Sequence, residues 1–175
     1  MDKKGITISG GYDSGCLPFL VGANKVSEYD FVFFEYQQTY MRQEKQRAEN
    51  LASYFNMALK IVRLPECRHD QERRNFIFIS ELKKLGYSEI LMGNRGILPF
   101  FDAYRDSNFI YLKIVARLFN IKVQLPIVGW SKLRVLRFLS QNQYLDFYNC
   151  YAAKEDWLNC DCPNCTELRK VKNKI

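Results

Sequence analysis

Histidine is almost absent from this chain. His69 is the only one among 175 residues, and it lies far in sequence from the cysteines, so a mixed-ligand catalytic zinc site is not expected and His69 reads as a surface-loop residue. No apolar run approaches the roughly 18 residues that a membrane-spanning helix needs. Met1-Asp2-Lys3-Lys4 leads directly into a strand-like segment and not into a signal-peptide core, so a cytoplasmic protein is expected with no membrane partner. Two standard nucleotide-binding signatures are missing. There is no GxxxxGK[ST], and no GxGxxG followed about twenty residues later by an acidic side chain. Internal repeats, low-complexity tracts and linkers are missing too, and a single domain spanning 1–175 is expected.

What the chain does have is apolar residues, at 47% of the composition, and aromatics, at 15%. That is enough for a sizeable core and argues against disorder. The formal net charge of +7 suits a polyanionic ligand, whether nucleotide, pyrophosphate or nucleic acid. Much of the excess falls on Arg134, Arg137 and the tail residues Arg169, Lys170, Lys172 and Lys174, and such runs are more often merely solvated faces.

Period and punctuation give an alternating pattern. Gly5 to Ser9 reads as a strand, Gly10-Gly11 as a turn, and Cys16 to Val21 as a helix with Pro18 in its first turn. Asp30 to Tyr36 is a strand buried on both faces, and Tyr40 to Phe55 is an amphipathic helix. Ala58 to Leu64 is the third strand, followed after Pro65 by a polar loop and a helix from Arg74 to Leu85 that Gly86 closes. Glu89 to Met92 is the fourth strand, Asn108 to Phe119 a helix and Ile121 to Leu125 the fifth strand. Ser131 caps a last regular helix reaching Leu139. The expected fold is α/β: an open five-stranded parallel sheet flanked by helices, with ligands at the carboxyl ends of its strands.

Two features carry chemistry. In Ser9-Gly10-Gly11-Tyr12-Asp13-Ser14, adjacent glycines let the backbone turn tightly and aim amide hydrogens inward; the two serines add hydroxyls, and the following helix adds positive partial charge. A phosphate fits that cradle. Cys150, Cys160, Cys162 and Cys165 follow a C-x9-C-x-C-x2-C spacing, which in a reducing compartment reads as a closed structural zinc knot over 148–168. An iron–sulfur cluster could use the same ligands. Cys16 and Cys67 read as ordinary thiols, Cys16 in the core.

Ser-Gly-Gly-x-Asp-Ser at the end of a first strand resembles the PP-loop of enzymes that cleave ATP between its α and β phosphates. With the terminal cysteines, the whole chain resembles the 7-cyano-7-deazaguanine synthases, the QueC-like family. Tyr36-Gln37-Gln38 is similar to the family's Tyr-Gly-Gln, Arg74-Asn75 to its Gly-Arg-Asn, and Gly93-Asn94 to its Gly-x-Asn. Asp102 and Arg105 resemble its Asp-Cys-Arg, Pro126 with Ser131-Lys132 its Pro…Ser/Thr-Lys step, and Asn149-Cys150-Tyr151 with the later cysteines its Cys-rich end. The family's His and Glu after Tyr-Gly-Gln appear here as Tyr40 and Gln43, and Leu64 to Arg73 is shorter than usual.

The resemblance implies conversion of 7-carboxy-7-deazaguanine with ammonia to the amide and then the nitrile, releasing AMP and pyrophosphate. It implies ATP on Ser9, Gly10, Gly11, Tyr12, Asp13, Ser14, Gly93 and Lys132. Ser14 and Lys132 are expected to stabilise the departing diphosphate, and Asp13 to orient the loop or Mg2+. Arg74, Asn75, Asp102 and Arg105 are expected on the deazapurine acid, and a homodimer is implied. Two other readings stay open: adenylation with a different acceptor, either a protein amine or RNA, and a basic zinc-knot module binding nucleic acid through Phe100-Phe101-Tyr104 and Tyr148-Tyr151-Trp157.

Overall fold

The computed structural model describes residues 2–38, 40–68, 73–96, 108–147 and 160–172. Along the chain come β1 (Lys3–Thr7), α1 (Tyr12–Val21), α2 (Ala23–Val26), β2 (Tyr29–Gln37), α3 (Met41–Tyr54) and β3 (Leu59–Arg68). There follow α4 (Arg74–Lys84), β4 (Tyr87–Leu91), α5 (Phe109–Leu118), β5 (Lys122–Gln124), α6 (Lys132–Gln141) and α7 (Pro163–Lys172). The five strands form one parallel sheet in the order β3-β2-β1-β4-β5. The fold class is therefore the open α/β sheet that the alternating pattern implies.

Side-chain alternation explains why the sheet is covered on both faces. Phe31 and Phe33 of β2 enter one core with Cys16, Leu17, Leu51, Val135 and Leu139, supplied by α1, α3 and α6. Val32 and Phe34 point the other way and join Ile79, Leu82, Leu112 and Val115 of α4 and α5. Each such side chain, once fully buried, contributes roughly 1.5–3 kcal/mol. At the open edges, β3 shows Lys60, Arg63 and Glu66 to solvent and β5 spans just three residues. Charge and shortness both discourage pairing with another chain.

Several boundaries differ from the sequence expectation. Helix α1 begins at Tyr12, directly after the glycine turn, so Pro18 lies in the helix interior instead of its first turn. The amide it lacks is the one that would bond the Ser14 carbonyl; the Pro18 carbonyl still receives the Gly22 N–H at 3.1 Å. Strand β3 runs on through Pro65 to Arg68 where a polar loop was expected. A register shift between Tyr36 and Gln37 takes up the proline as a bulge, and Gln37 Nε2 donates to the Pro65 carbonyl at 2.6 Å. Helix α6 is not the last: α7 follows the cysteines. Asn108 and Ser131 cap α5 and α6 by accepting from the Tyr111 and Arg134 amides. His69, Phe100, Phe101, Asp102, Tyr104, Arg105, Tyr148, Cys150, Tyr151 and Trp157 lie outside the described residues.

Candidate functional site

The chain leaves β1 toward β2 and β3, then returns to β4 and β5 on the other side of β1. The segments after β1 and β4 therefore part at the carboxyl end of the sheet, which is where parallel sheets open a crevice for ligands.

Both glycine positions at this crevice are imposed by close approach. Gly10 has φ +76°, and a Cβ there would stand 2.2 Å from the Glu44 carbonyl oxygen in α3. No side chain fits. After β4, a Cβ on Gly93 would come within 2.6 Å of the Ser14 amide nitrogen. The two loops thus meet backbone to backbone.

The serines close the turn on itself. Ser9 N–H donates to Ser14 Oγ at 2.9 Å, the two hydroxyls lie 2.9 Å apart, and Ser14 Oγ donates to the Gly11 carbonyl at 3.2 Å. Both hydroxyls thus shape the loop. The amides of α1 remain: Gly11 is an N-cap with no side-chain cap bond, and the first intrahelical bond is Gly15 N–H to the Gly11 carbonyl at 3.0 Å. The N–H groups of Tyr12, Asp13 and Ser14 precede that bond and have no intrahelical acceptor. Such a terminus attracts an anion.

Cations from two other segments meet on Asp13, and a carboxylate from a third reaches one of them. Arg95, just past β4, donates from Nε to Asp13 Oδ2 at 2.9 Å. Lys132, at the start of α6, is 5% exposed and holds its Nζ 3.8 Å from Asp13 Oδ1 and 5.2 Å from the centre of the Tyr12 ring. Burial pulls the Lys132 ammonium below its ordinary pKa, with Asp13 opposing. Glu167 of α7 reaches Arg95 Nη2 at 4.0 Å. Behind the loop, burial pushes the Cys16 thiol up to about 12, so it is an inert core group.

For magnesium the loop offers one carboxylate: Asp13 Oδ2 accepts from Arg95, while Oδ1 is buried, accepts no hydrogen bond and has Lys132 Nζ 3.8 Å away. A thiolate-bound metal does fit the C-terminal cluster. The Sγ atoms of Cys160, Cys162 and Cys165 all lie within 4.8 Å of one another, with Cys160 and Cys165 buried. Zinc–sulfur bonds of about 2.3 Å set sulfurs a little under 4 Å apart, within reach of small side-chain adjustments. Helix α7 starts at once after Cys162, and its N-terminus favours thiolate at the cluster.

On the other side of the glycine loop, beyond β2, the groups are polar and the charge is muted. Gln38 is buried, its Oε1 accepts from the Tyr36 amide at 3.3 Å, and its Nε2 donates to Glu44 Oε2 at 2.6 Å. Burial pushes the Glu44 carboxyl up to about 8, against the Gln38 bond and the nearby Arg74. Arg74 lies 5.6 Å from the centre of the Tyr36 ring, and Asn75 is buried.

Of the residues expected from sequence, the structure brings Ser9 to Ser14, Gly93 and Lys132 together at one place. Arg74 lies near Tyr36 and acts on Glu44, and Asn75 beside it in sequence is buried. Arg95, Glu167 and Glu44 carry no sequence signal of their own: Arg95 adjoins the Gly93-Asn94 pair, but its pairing with Asp13 spans 82 positions.

No protein-family model and no curated protein matches the chain. Among solved structures it is similar to a predicted subunit of tRNA methyltransferase from Methanocaldococcus jannaschii, with 17% identity, a TM-score of 0.50, and coverage of 80% of this chain and 74% of that one. It also matches an NH3-dependent NAD synthetase from Campylobacter jejuni in complex with nitrate, at 15% identity, over 98% of this chain and 82% of that one; the TM-score of 0.44 is too low to add to the comparison. What the chain shares with the Methanocaldococcus protein is the fold.

Proposed function

We propose that this chain is an adenylating ATP pyrophosphatase of the PP-loop kind, converting 7-carboxy-7-deazaguanine and ammonia to the amide and nitrile with release of AMP and pyrophosphate. One observation carries the proposal. The uncapped amides of α1 open at the sheet's switch point beside two cations, Lys132 and Arg95, brought there from different elements. Fixed amide dipoles, a buried ammonium and a half-buried guanidinium are what a departing diphosphate requires, and in a partly dry site they act far more strongly than in water.

In this reading the amides of Gly10 to Ser14 cradle the phosphates, and Lys132 and Arg95 share the charge that develops on the diphosphate. Asp13 holds both cations in place until the anion arrives. ATP supplies a leaving group: AMP departs from the acyl carbon where hydroxide would not. The buried Gln38 and Asn75, with the half-buried Arg74, form the wall facing the acid. The metal knot, when loaded, fixes α7 and with it Glu167.

The test supplies purified protein with ATP, ammonium and 7-carboxy-7-deazaguanine and identifies products by mass spectrometry. AMP, pyrophosphate and the deazapurine amide or nitrile are expected. ADP with orthophosphate would overturn the proposal.

A further inference from the structure

Glu44 stands apart from the other carboxylates at this end of the sheet. Asp13 and Glu167 face cations, and so does Glu35 further along β2, whereas no ion pair among the described residues includes Glu44. Its geometry is nevertheless fixed. The Gln38 carboxamide cannot flip without losing the Tyr36 amide, so its Nε2 is committed to Glu44 Oε2. Gln38 is anchored further by its carbonyl, which accepts from Met41 N–H at 3.3 Å. Oε1 of Glu44 receives no hydrogen bond among the described residues. The residue's own backbone forms the wall against which Gly10 packs. A half-buried carboxyl with one oxygen pinned and one open thus belongs to the residue whose backbone meets the loop assigned to the phosphates.

We infer that Glu44 is the proton acceptor for the attacking amine, with Gln38 as its positioning residue; this rests on the adenylation reading above. Ammonium gives one proton to Oε1. The lone pair so freed forms the C–N bond at the activated acyl carbon, the C–O bond to AMP breaks, and its electron pair leaves on the phosphate oxygen. The nitrogen then sheds its surplus proton to solvent. Burial supports this role by raising the carboxyl's proton affinity toward that of ammonium. Arg74 is the charged group that acts on Glu44 from the neighbouring helix, and it favours the ionised form.

The test compares wild type with Glu44→Gln in three assays: acid-dependent ATP–pyrophosphate exchange, amide formation from ammonium, and hydroxamate formation from hydroxylamine, which is already unprotonated at neutral pH. Glu44→Gln is expected to keep exchange within a few-fold of wild type and to lose about a hundred-fold in amide formation from ammonium. Hydroxylamine should restore product to near the wild-type rate. Equal loss with both nucleophiles, or loss of exchange itself, would show that Glu44 only supports the loop, and the inference would fall. Absence of exchange in wild type would instead remove the adenylation reading, and this inference with it.

Discussion

The two flanks of the glycine loop handle burial in opposite ways. Toward β4, α6 and α7, two carboxylates and two cations interleave: Lys132, Asp13, Arg95 and Glu167 form one chain of contacts of 4.0 Å or less. Toward the end of β2 and the start of α3, the Glu44 carboxyl bonds to a neutral amide, and burial raises its pKa instead of drawing in a contacting counter-ion. Desolvation opposes charge on both sides. Where counter-charges converge, the site stays ionic and suits an anion; where they do not, it stays close to neutral and suits proton exchange. The loop divides a charged half of the crevice from one that can give or take a proton.

The comparison is broken most completely at the divider. Gly10→Ala places a Cβ on the Glu44 carbonyl in a left-handed backbone, so the loop must open and α3 must shift. We expect a cost of roughly 2–4 kcal/mol, which lowers the melting temperature by about 5–12 °C, and no measurable ATP binding by calorimetry. Next in size is Lys132→Met. Removing a buried ammonium lost from water relieves a desolvation cost, while Asp13 keeps Arg95. Pyrophosphate release should fall about 10²- to 10³-fold while the melting temperature holds or rises. The pH dependence has a definite sign. The folded-state pKa of Lys132 is lowered, so below it the lysine disfavours folding in full; between that value and the unfolded 10.5 the unfolded chain binds more protons, and the disadvantage fades as pH rises. The variant's gain in melting temperature should therefore shrink through the alkaline range.

How much of this could be read from sequence depends on how local the cause was. The strand count, the strand–glycine–helix handover and the cap at Ser131 follow from short-range pattern, and all appear in the structure. Helix α1 starts earlier than its pattern suggests because Gly11 alone ends the turn, and Pro18 does not mark the first turn here. Strand β3 ends later because Pro65, which reads as a breaker in sequence, is absorbed by a bulge that only pairing with β2 reveals. Arg95, Glu167 and Glu44 stay invisible for a different reason: their partners come from other elements, and one-dimensional spacing does not encode which helix a given side chain will meet. Glu44 lies one position beyond the residue that the family likeness singled out, Gln43, and the Gln38 bond identifies it only in three dimensions.

The charged flank can also be loosened from its outer end. Cys165→Ser, or chelation of the metal from wild type, should release the start of α7 and lower the melting temperature by about 5 °C or more. Because α7 packs on α6, the helix that carries Lys132, ATP affinity should weaken by several-fold. Measured metal content should fall with it. If the cysteines bind no metal, chelator will change neither property, and the support for α7 must be its packing alone.

The smallest effect sharpens the comparison most. Glu167→Gln removes only the outermost member of the charged chain, a carboxylate 43% exposed and 4.0 Å from a guanidinium that is 26% exposed. Pairs of that kind contribute about 0.5 kcal/mol or less in water and are screened by salt. We expect at most about a two-fold change in ATP affinity, with no change in melting temperature, and the difference should vanish above roughly 0.5 M salt. Lys132→Met differs in this respect, because its ammonium is buried and its effect should persist in salt. A ten-fold loss for Glu167→Gln at high salt would mean that Glu167 is shielded from solvent when ATP is bound, placing α7 inside the anion site and not at its rim.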